Sequence, residues 1–133
     1  MAVLRPVVYD AGALIAAERG RVDIWRTHRS YLTAGGVPLV PAPVVAQVWR
    51  DGSRQARAAQ LLKGCDIAPL DDTSAREIGE LLGRASTSDP VDGAVAVIAA
   101  SLGAVVATSD PEDIRHLLDH LGPSGKRTSL KLL

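Results

Sequence analysis

Short apolar runs alternate with helix-length stretches along this chain, and that alternation restricts the fold more than any other feature. Val7–Tyr9, Val37–Pro41 and Ala104–Ala107 are brief apolar runs of strand length. Between them lie segments long enough for one or more helices. Strands buried on both faces read as continuous apolar runs, and parallel neighbours require a crossover that is usually helical. The pattern therefore predicts an α/β fold, with a central parallel sheet of about four to five short strands flanked by helices. With 133 residues, the chain fits one domain spanning 1–133.

Start and stop signals place the remaining elements. Ala11 to Glu18 reads as a helix stopped by Gly20, and Val22 to Leu32 as a second that carries Trp25 and ends at Gly35-Gly36. Pro43 opens a helix through Arg50, because proline suits a first turn. Arg54 to Lys63 is another helix, closed by Gly64, and Asp66 to Leu70 is short and extended. Asp72 or Thr73 caps the next helix, whose Ile78, Leu81 and Leu82 share a face. Asp92 to Leu102 is almost wholly small and apolar, which predicts a helix buried on more than one side. Pro111 to Leu121 reads as helix and Thr128 to Leu133 as a final strand.

Composition narrows the chemistry. Aromatic residues are 3% of the chain and phenylalanine is absent, so the core must be aliphatic. Fifteen basic and fifteen acidic side chains cancel. Any nucleic-acid contact must therefore come from a local patch or a bridging metal. The single Cys65 excludes an intrachain disulfide and a multi-thiolate zinc site, and its setting predicts a buried small hydrophobe. No apolar run approaches the ~20 residues needed to span a bilayer. Met1 to Pro6 leads straight into a strand with no leader, so the cytoplasm is the expected compartment.

One local repeat carries acids: Thr87-Ser88-Asp89-Pro90-Val91-Asp92 recurs as Thr108-Ser109-Asp110-Pro111-Glu112-Asp113. Taken singly, each is an ordinary helix start, with a capping aspartate, proline in the first position and a second acid near the positive helix end. Their positions say more. Asp10 directly follows one strand, and Asp110 follows another after Thr108 and Ser109. In a parallel sheet such residues gather at one edge, where ligands bind. Asp92 opens the helix before the Ala104–Ala107 strand and can face the same edge. Three converging carboxylates repel unless some bind protons or a cation joins them. A hard divalent ion, Mg²⁺ or Mn²⁺, suits all-oxygen ligands.

The chain resembles the PIN-domain family, in particular the small ribonuclease toxins of VapC type. Val8-Tyr9-Asp10-Ala11-Gly12-Ala13-Leu14-Ile15-Ala16 is similar to the family's opening strand, first acid and helix. Pro41-Ala42-Pro43-Val44-Val45-Ala46-Gln47-Val48-Trp49-Arg50 resembles the helix that carries the second acid. Asp92 to Ala100 resembles the third-acid helix, and Ala107 to Asp113 the closing motif with a hydroxyl before the fourth acid. The departure is Gln47, which stands where the family usually places Glu. Either Asp89 or Asp113 makes up the missing carboxylate, the reading adopted, or metal binding is weakened. Glu18, two turns beyond Asp10, reads as a solvated charge.

The resemblance implies a metal-dependent endoribonuclease in which Asp10, Asp92 and Asp110 ligate Mg²⁺ or Mn²⁺. Asp113 and Asp89 would be further metal ligands, with Gln47, Thr108 and Ser109 auxiliary. It also implies an RNA substrate, a homodimer and a cognate antitoxin that covers the acids. Leu14, Ile15, Val22 and Ile24 offer an apolar dimer surface. Arg50, Arg54 and Arg57 form a candidate RNA track, with Arg54 and Arg57 sharing a helix face. Against it stands a plain solvated face with local ion pairs. Trp25 and Trp49 read as core or interface before base-stacking platforms. His28, His116 and His120 fall outside the motifs and read as surface residues. Two other functions remain open. One is a catalytically weak domain that binds RNA or a protein; the other is a receiver- or phosphatase-like domain, for which a well-placed lysine is lacking.

Overall fold

The computed structural model describes residues 4–133; Met1–Val3, on which the reading of the chain's start partly rests, lie outside them. Strand β1 (Val7–Tyr9) is followed by helices α1 (Ala11–Glu18) and α2 (Val22–Thr33), then β2 (Leu39–Pro41). Helices α3 (Ala42–Val48) and α4 (Ala56–Lys63) lead to β3 (Asp66–Ala68). After α5 (Asp72–Ala85) and α6 (Pro90–Leu102) comes β4 (Val105–Thr108). Helix α7 (Pro111–Leu118), a 3₁₀ turn (Asp119–Leu121) and α8 (Gly122–Lys126) precede β5 (Ser129–Leu132). The five strands form one sheet in the order β3-β2-β1-β4-β5. Every pair is parallel, with Val8 opposite Val106 and Val106 opposite Leu130. The α/β expectation holds.

The register explains the core. Val8, Val40 and Val106 are wholly buried, and α6 packs on β1, β2 and β4. Gly93, Ala94, Val95, Ala96, Ala99 and Ala100 are all buried on α6, a span wider than one helical stripe. This is why its sequence lacks an amphipathic period. On α5 the period is present, and Ile78, Leu81 and Ala85 turn inward. Among the described residues no helix is long and apolar enough to cross a membrane.

Several local expectations are corrected. Helix α5 is capped by Asp71, whose carboxylate accepts from Ser74 N at 2.8 Å, in place of Asp72 or Thr73. The helix expected from Arg54 starts at Ala56, because Asp51 accepts from both the amide and hydroxyl of Ser53 and folds residues 51–54 into a turn. Gln55 fastens that turn by accepting from Arg50 N and donating to Val48 O. Glu18 is no solvated charge. Its carboxylate accepts from Ala58 N at 2.7 Å and caps α4. Leu14 and Ile24 are 1% and 3% exposed, so they belong to the core and not to a dimer surface. Cys65 is half-buried and donates to Leu61 O; burial pushes its thiol up to about 12.

Candidate metal centre

The carboxyl ends of β1 and β4 lie side by side, since Tyr9 pairs with Ala107, and each strand ends within two residues of an aspartate. Asp10 is only 5% exposed. One carboxylate oxygen accepts from Ala11 N at 2.7 Å at the start of α1, and the other accepts from the Thr108 hydroxyl at 2.8 Å. Thr108 Oγ1 in turn accepts from Asp110 N at 2.9 Å. A single fully buried hydroxyl thus couples the acid of β1 to the acid beyond β4. The Ser109 side chain lies directly over Gly12, where a Cβ would collide with it, so α1 can approach the β4 loop this closely only through a glycine.

The two halves of the repeat turn out different. Asp89 caps α6, accepting from Val91 N at 2.9 Å and Asp92 N at 3.2 Å. Asp110 occupies the same place before α7 but makes no capping bond with its side chain. Its carboxylate is left for another partner. Asp92 and Asp113 sit in the first turns of α6 and α7, near the positive helix ends.

Electrostatics report the crowding. Asp92 is pushed up to about 7, first by burial and then by Asp89, Asp10, Asp113 and Asp110. Burial also raises Asp10; hydrogen bonds from Thr108 and Ala11 oppose the shift, while the charges of Asp110 and Asp89 add to it. Five aspartates therefore share one electrostatic neighbourhood. Among the described residues no three His, Cys, Asp or Glu side chains close around a single point. An all-oxygen, over-charged site of this kind fits a hard cation held by one or two carboxylates with water and substrate filling its other positions, the mode Mg²⁺ favours.

Replacing Thr108 with Val tests the link between strands. The change strands a buried Asp10 oxygen and the Asp110 amide, so unfolding in denaturant should show a loss of about 1–3 kcal/mol. A value near zero would mean that the hydroxyl is dispensable.

Of the auxiliary residues, Thr108 and Ser109 sit at the acidic edge. Gln47 is exposed and makes no hydrogen bond to any aspartate among the described residues; it faces Ile15, Glu18 and Arg19 instead. The arginines do not share one helix face as expected. Arg50 folds back onto the carbonyls of Ala46 and Trp49 at the end of α3. Arg54, in the turn and off the helix, lies 3.8 Å from Asp51. Arg57 borders a separate recess of about 1030 Å³ between α2 and α4, with Trp25, Arg26 and Arg29. Trp25 is half-buried and donates to Ala17 O, whereas Trp49 is 39% exposed.

His28 is not a surface residue; it is buried and shares a 2.9 Å hydrogen bond with the Tyr9 hydroxyl. That bond holds the residue just before Asp10, a role with no signal in the sequence beyond the helical spacing that aims His28 inward with Ile24. His116 and His120 are exposed, and each bonds a backbone carbonyl.

Parallel β1 and β4 flanked by helices, with acids at their carboxyl ends, define a PIN-like α/β domain. Solved structures share this fold. One is a crystal structure of VapBC2 from Rickettsia felis bound to a DNA fragment from their promoter: TM-score 0.69, 14% identity, covering 96% of this chain and 98% of the other. A second is VapBC-1 from nontypeable Haemophilus influenzae, with a TM-score of 0.65, 14% identity and coverage of 95% and 96%. A third is PAE2754 from Pyrobaculum aerophilum, with a TM-score of 0.57, 20% identity and coverage of 87% and 86%. No protein-family model matches the sequence, and no curated protein does. Likeness at these identities establishes the fold.

Proposed function

We propose that this chain is a Mg²⁺- or Mn²⁺-dependent endoribonuclease, hydrolysing RNA phosphodiester bonds as the toxin of a toxin–antitoxin pair. The observation that carries the reading is the acidic edge itself: Asp10 and Asp92 are both driven toward protonation by burial and by neighbouring aspartates. A cluster so costly to ionise alone is suited to a cation partner. When bound, a divalent ion supplies positive charge for phosphate oxygens and eases the ionisation of water. Asp10, Asp92 and Asp110 would hold it, one or two of them directly and the rest through water, with Asp113 and Asp89 as further ligands through water. Thr108 fixes the orientation of Asp10, and Ser109 and Gly12 keep the loop against α1. No histidine is assigned a catalytic role in this reading; each has one ring nitrogen on a tyrosine hydroxyl or a backbone carbonyl.

The proposal includes a protein partner. Two of the similar structures are VapBC complexes, which supports a cognate antitoxin for this chain. A homodimer and a cytoplasmic setting belong to the same proposal.

The test is cleavage of single-stranded RNA in Mg²⁺ or Mn²⁺. Wild type is expected to cut, EDTA to stop it, and Asp10→Asn or Asp110→Asn each to slow it by roughly 100-fold or more. Cutting that survives EDTA or both substitutions would rule the metal mechanism out. A second reading has its own observation in Gln47, which adds no charge and does not join the aspartates. Under it the domain binds RNA or a protein without cutting, and a silent wild type that becomes active as Gln47→Glu would establish it.

A further inference from the structure

We infer that the recess between α1 and α3 binds one base of a single-stranded RNA, and that Gln47 reads that base; the inference rests on the nuclease reading above. The recess measures about 370 Å³ and is lined by Ile15, Glu18, Arg19, Gln47, Val48, Arg50 and Gln55. Most of its polar groups already have partners. Gln55 is engaged at both ends of its amide by the 48–51 backbone. One Glu18 oxygen caps α4, and Arg50 Nη1 holds the end of α3.

Two groups are left over. The Gln47 amide and the Arg19 guanidinium have no hydrogen-bond or ion-pair partner among the described residues, and both are exposed. Ile15 is 41% exposed beside them, an apolar wall against which a base can lie. An amide presents a donor and an acceptor together, the combination that pairs with a base edge carrying both. A guanidinium supplies a phosphate contact or a stacking plane.

The recess is also placed to act on the same strand as the acids. Asp10 caps α1, which carries Ile15 ~7.5 Å further along its axis. Helix α3 packs on both α1 and α6, the two helices whose first residues hold Asp10 and Asp92. A strand whose phosphate lies at the acids can lay a neighbouring base in the recess beside Gln47. On this view the glutamine is not a degraded acid; it trades a metal ligand for a specificity contact.

The experiment separates recognition from cleavage. First, fluorescence anisotropy in EDTA compares short single-stranded RNAs that differ at one position, with wild type, Gln47→Ala and Arg19→Ala. Wild type should prefer one base by roughly 5- to 100-fold, and Gln47→Ala should abolish the preference. Arg19→Ala should weaken all sequences alike. These outcomes support the recess even if the protein cuts nothing, in which case only the nuclease reading fails. Equal affinity for every base in wild type, or a preference that Gln47→Ala leaves intact, overturns the inference. Second, cut sites in a randomised RNA pool should lose their bias at one position in Gln47→Ala. A uniform change in rate with unaltered bias overturns it as well. Circular dichroism confirms that each variant is folded.

Discussion

Asp92→Asn is expected to reduce metal-dependent RNA cleavage by at least about 100-fold while raising the stability of the metal-free protein at neutral pH. The two effects have one cause. Asp92 is pushed up to about 7 from an ordinary carboxylate value of 3.8. The folded state therefore binds its proton more tightly than the unfolded chain does. A group raised in this way contributes stability that is complete below about pH 4 and is lost as pH climbs through 7. Removing the ionisable oxygen removes that loss. Asp92 is only half-buried, so the full linkage figure must be discounted for solvent screening, leaving about 1–2 kcal/mol above pH 7. Thermal unfolding between pH 4 and 8 checks it: the wild-type curve should fall toward neutrality and the Asp92→Asn curve should fall less. Mn²⁺ should stabilise wild type more at pH 7.5 than at pH 5, because protons compete for the same carboxylates. Identical pH profiles for the two proteins would show that Asp92 is not strained.

Gly125→Ala is expected to be the most damaging single-methyl change in the molecule. Gly125 is buried in α8, and a Cβ there would run into the backbone carbonyl of Leu118 at the end of α7. A carbonyl in a helix terminus cannot step aside as a side chain can. The same corner is tied by Arg115, which donates to Gly125 O and to Thr128 O at 3.0 Å, so a displaced α8 would also disturb the entry into β5. The expected cost is about 3 kcal/mol, or roughly 10 °C in Tm for a domain of this size. Gly79→Ala supplies the contrast. Nothing lies within 4 Å of a Cβ at Gly79 in α5, so the helix should gain roughly 0.5–1 kcal/mol. Equal Tm values for the two variants would mean that the close approach at Gly125 is not real.

How much of this was visible in the chain depends on the range of the cause. The parallel sheet was legible because its signals are local: apolar runs at Val7–Tyr9 and Ala104–Ala107, prolines at helix starts, and glycine after helices. The places of Asp10 and Asp110 were legible for a related reason, since a residue just past a parallel strand has only one edge to occupy. Asp10 and Asp110 sit there, linked by Thr108. Charges on flexible side chains were not legible. Arg50, Arg54 and Arg57 are close in sequence, yet a helix end, a turn and a distant helix claim them separately. Glu18 had no local reason to cap α4, because its partner Ala58 is forty residues away.

The repeat around Asp89 and Asp110 divides the two kinds of knowledge most clearly. By itself the sequence determined that both segments begin helices with an aspartate, a proline and a second acid, since each residue acts on its own backbone. Only the tertiary structure decided that Asp89 caps its helix while Asp110 leaves its carboxylate unused. The Asp110 amide is instead drawn to Thr108 Oγ1, and that hydroxyl is held by Asp10 on a strand nearly one hundred residues earlier. Gln47 follows the same rule. The sequence determined that no charge stands there, and the packing of α3 against α1 set the side chain in the wall of the recess that Ile15, Glu18 and Arg19 also line.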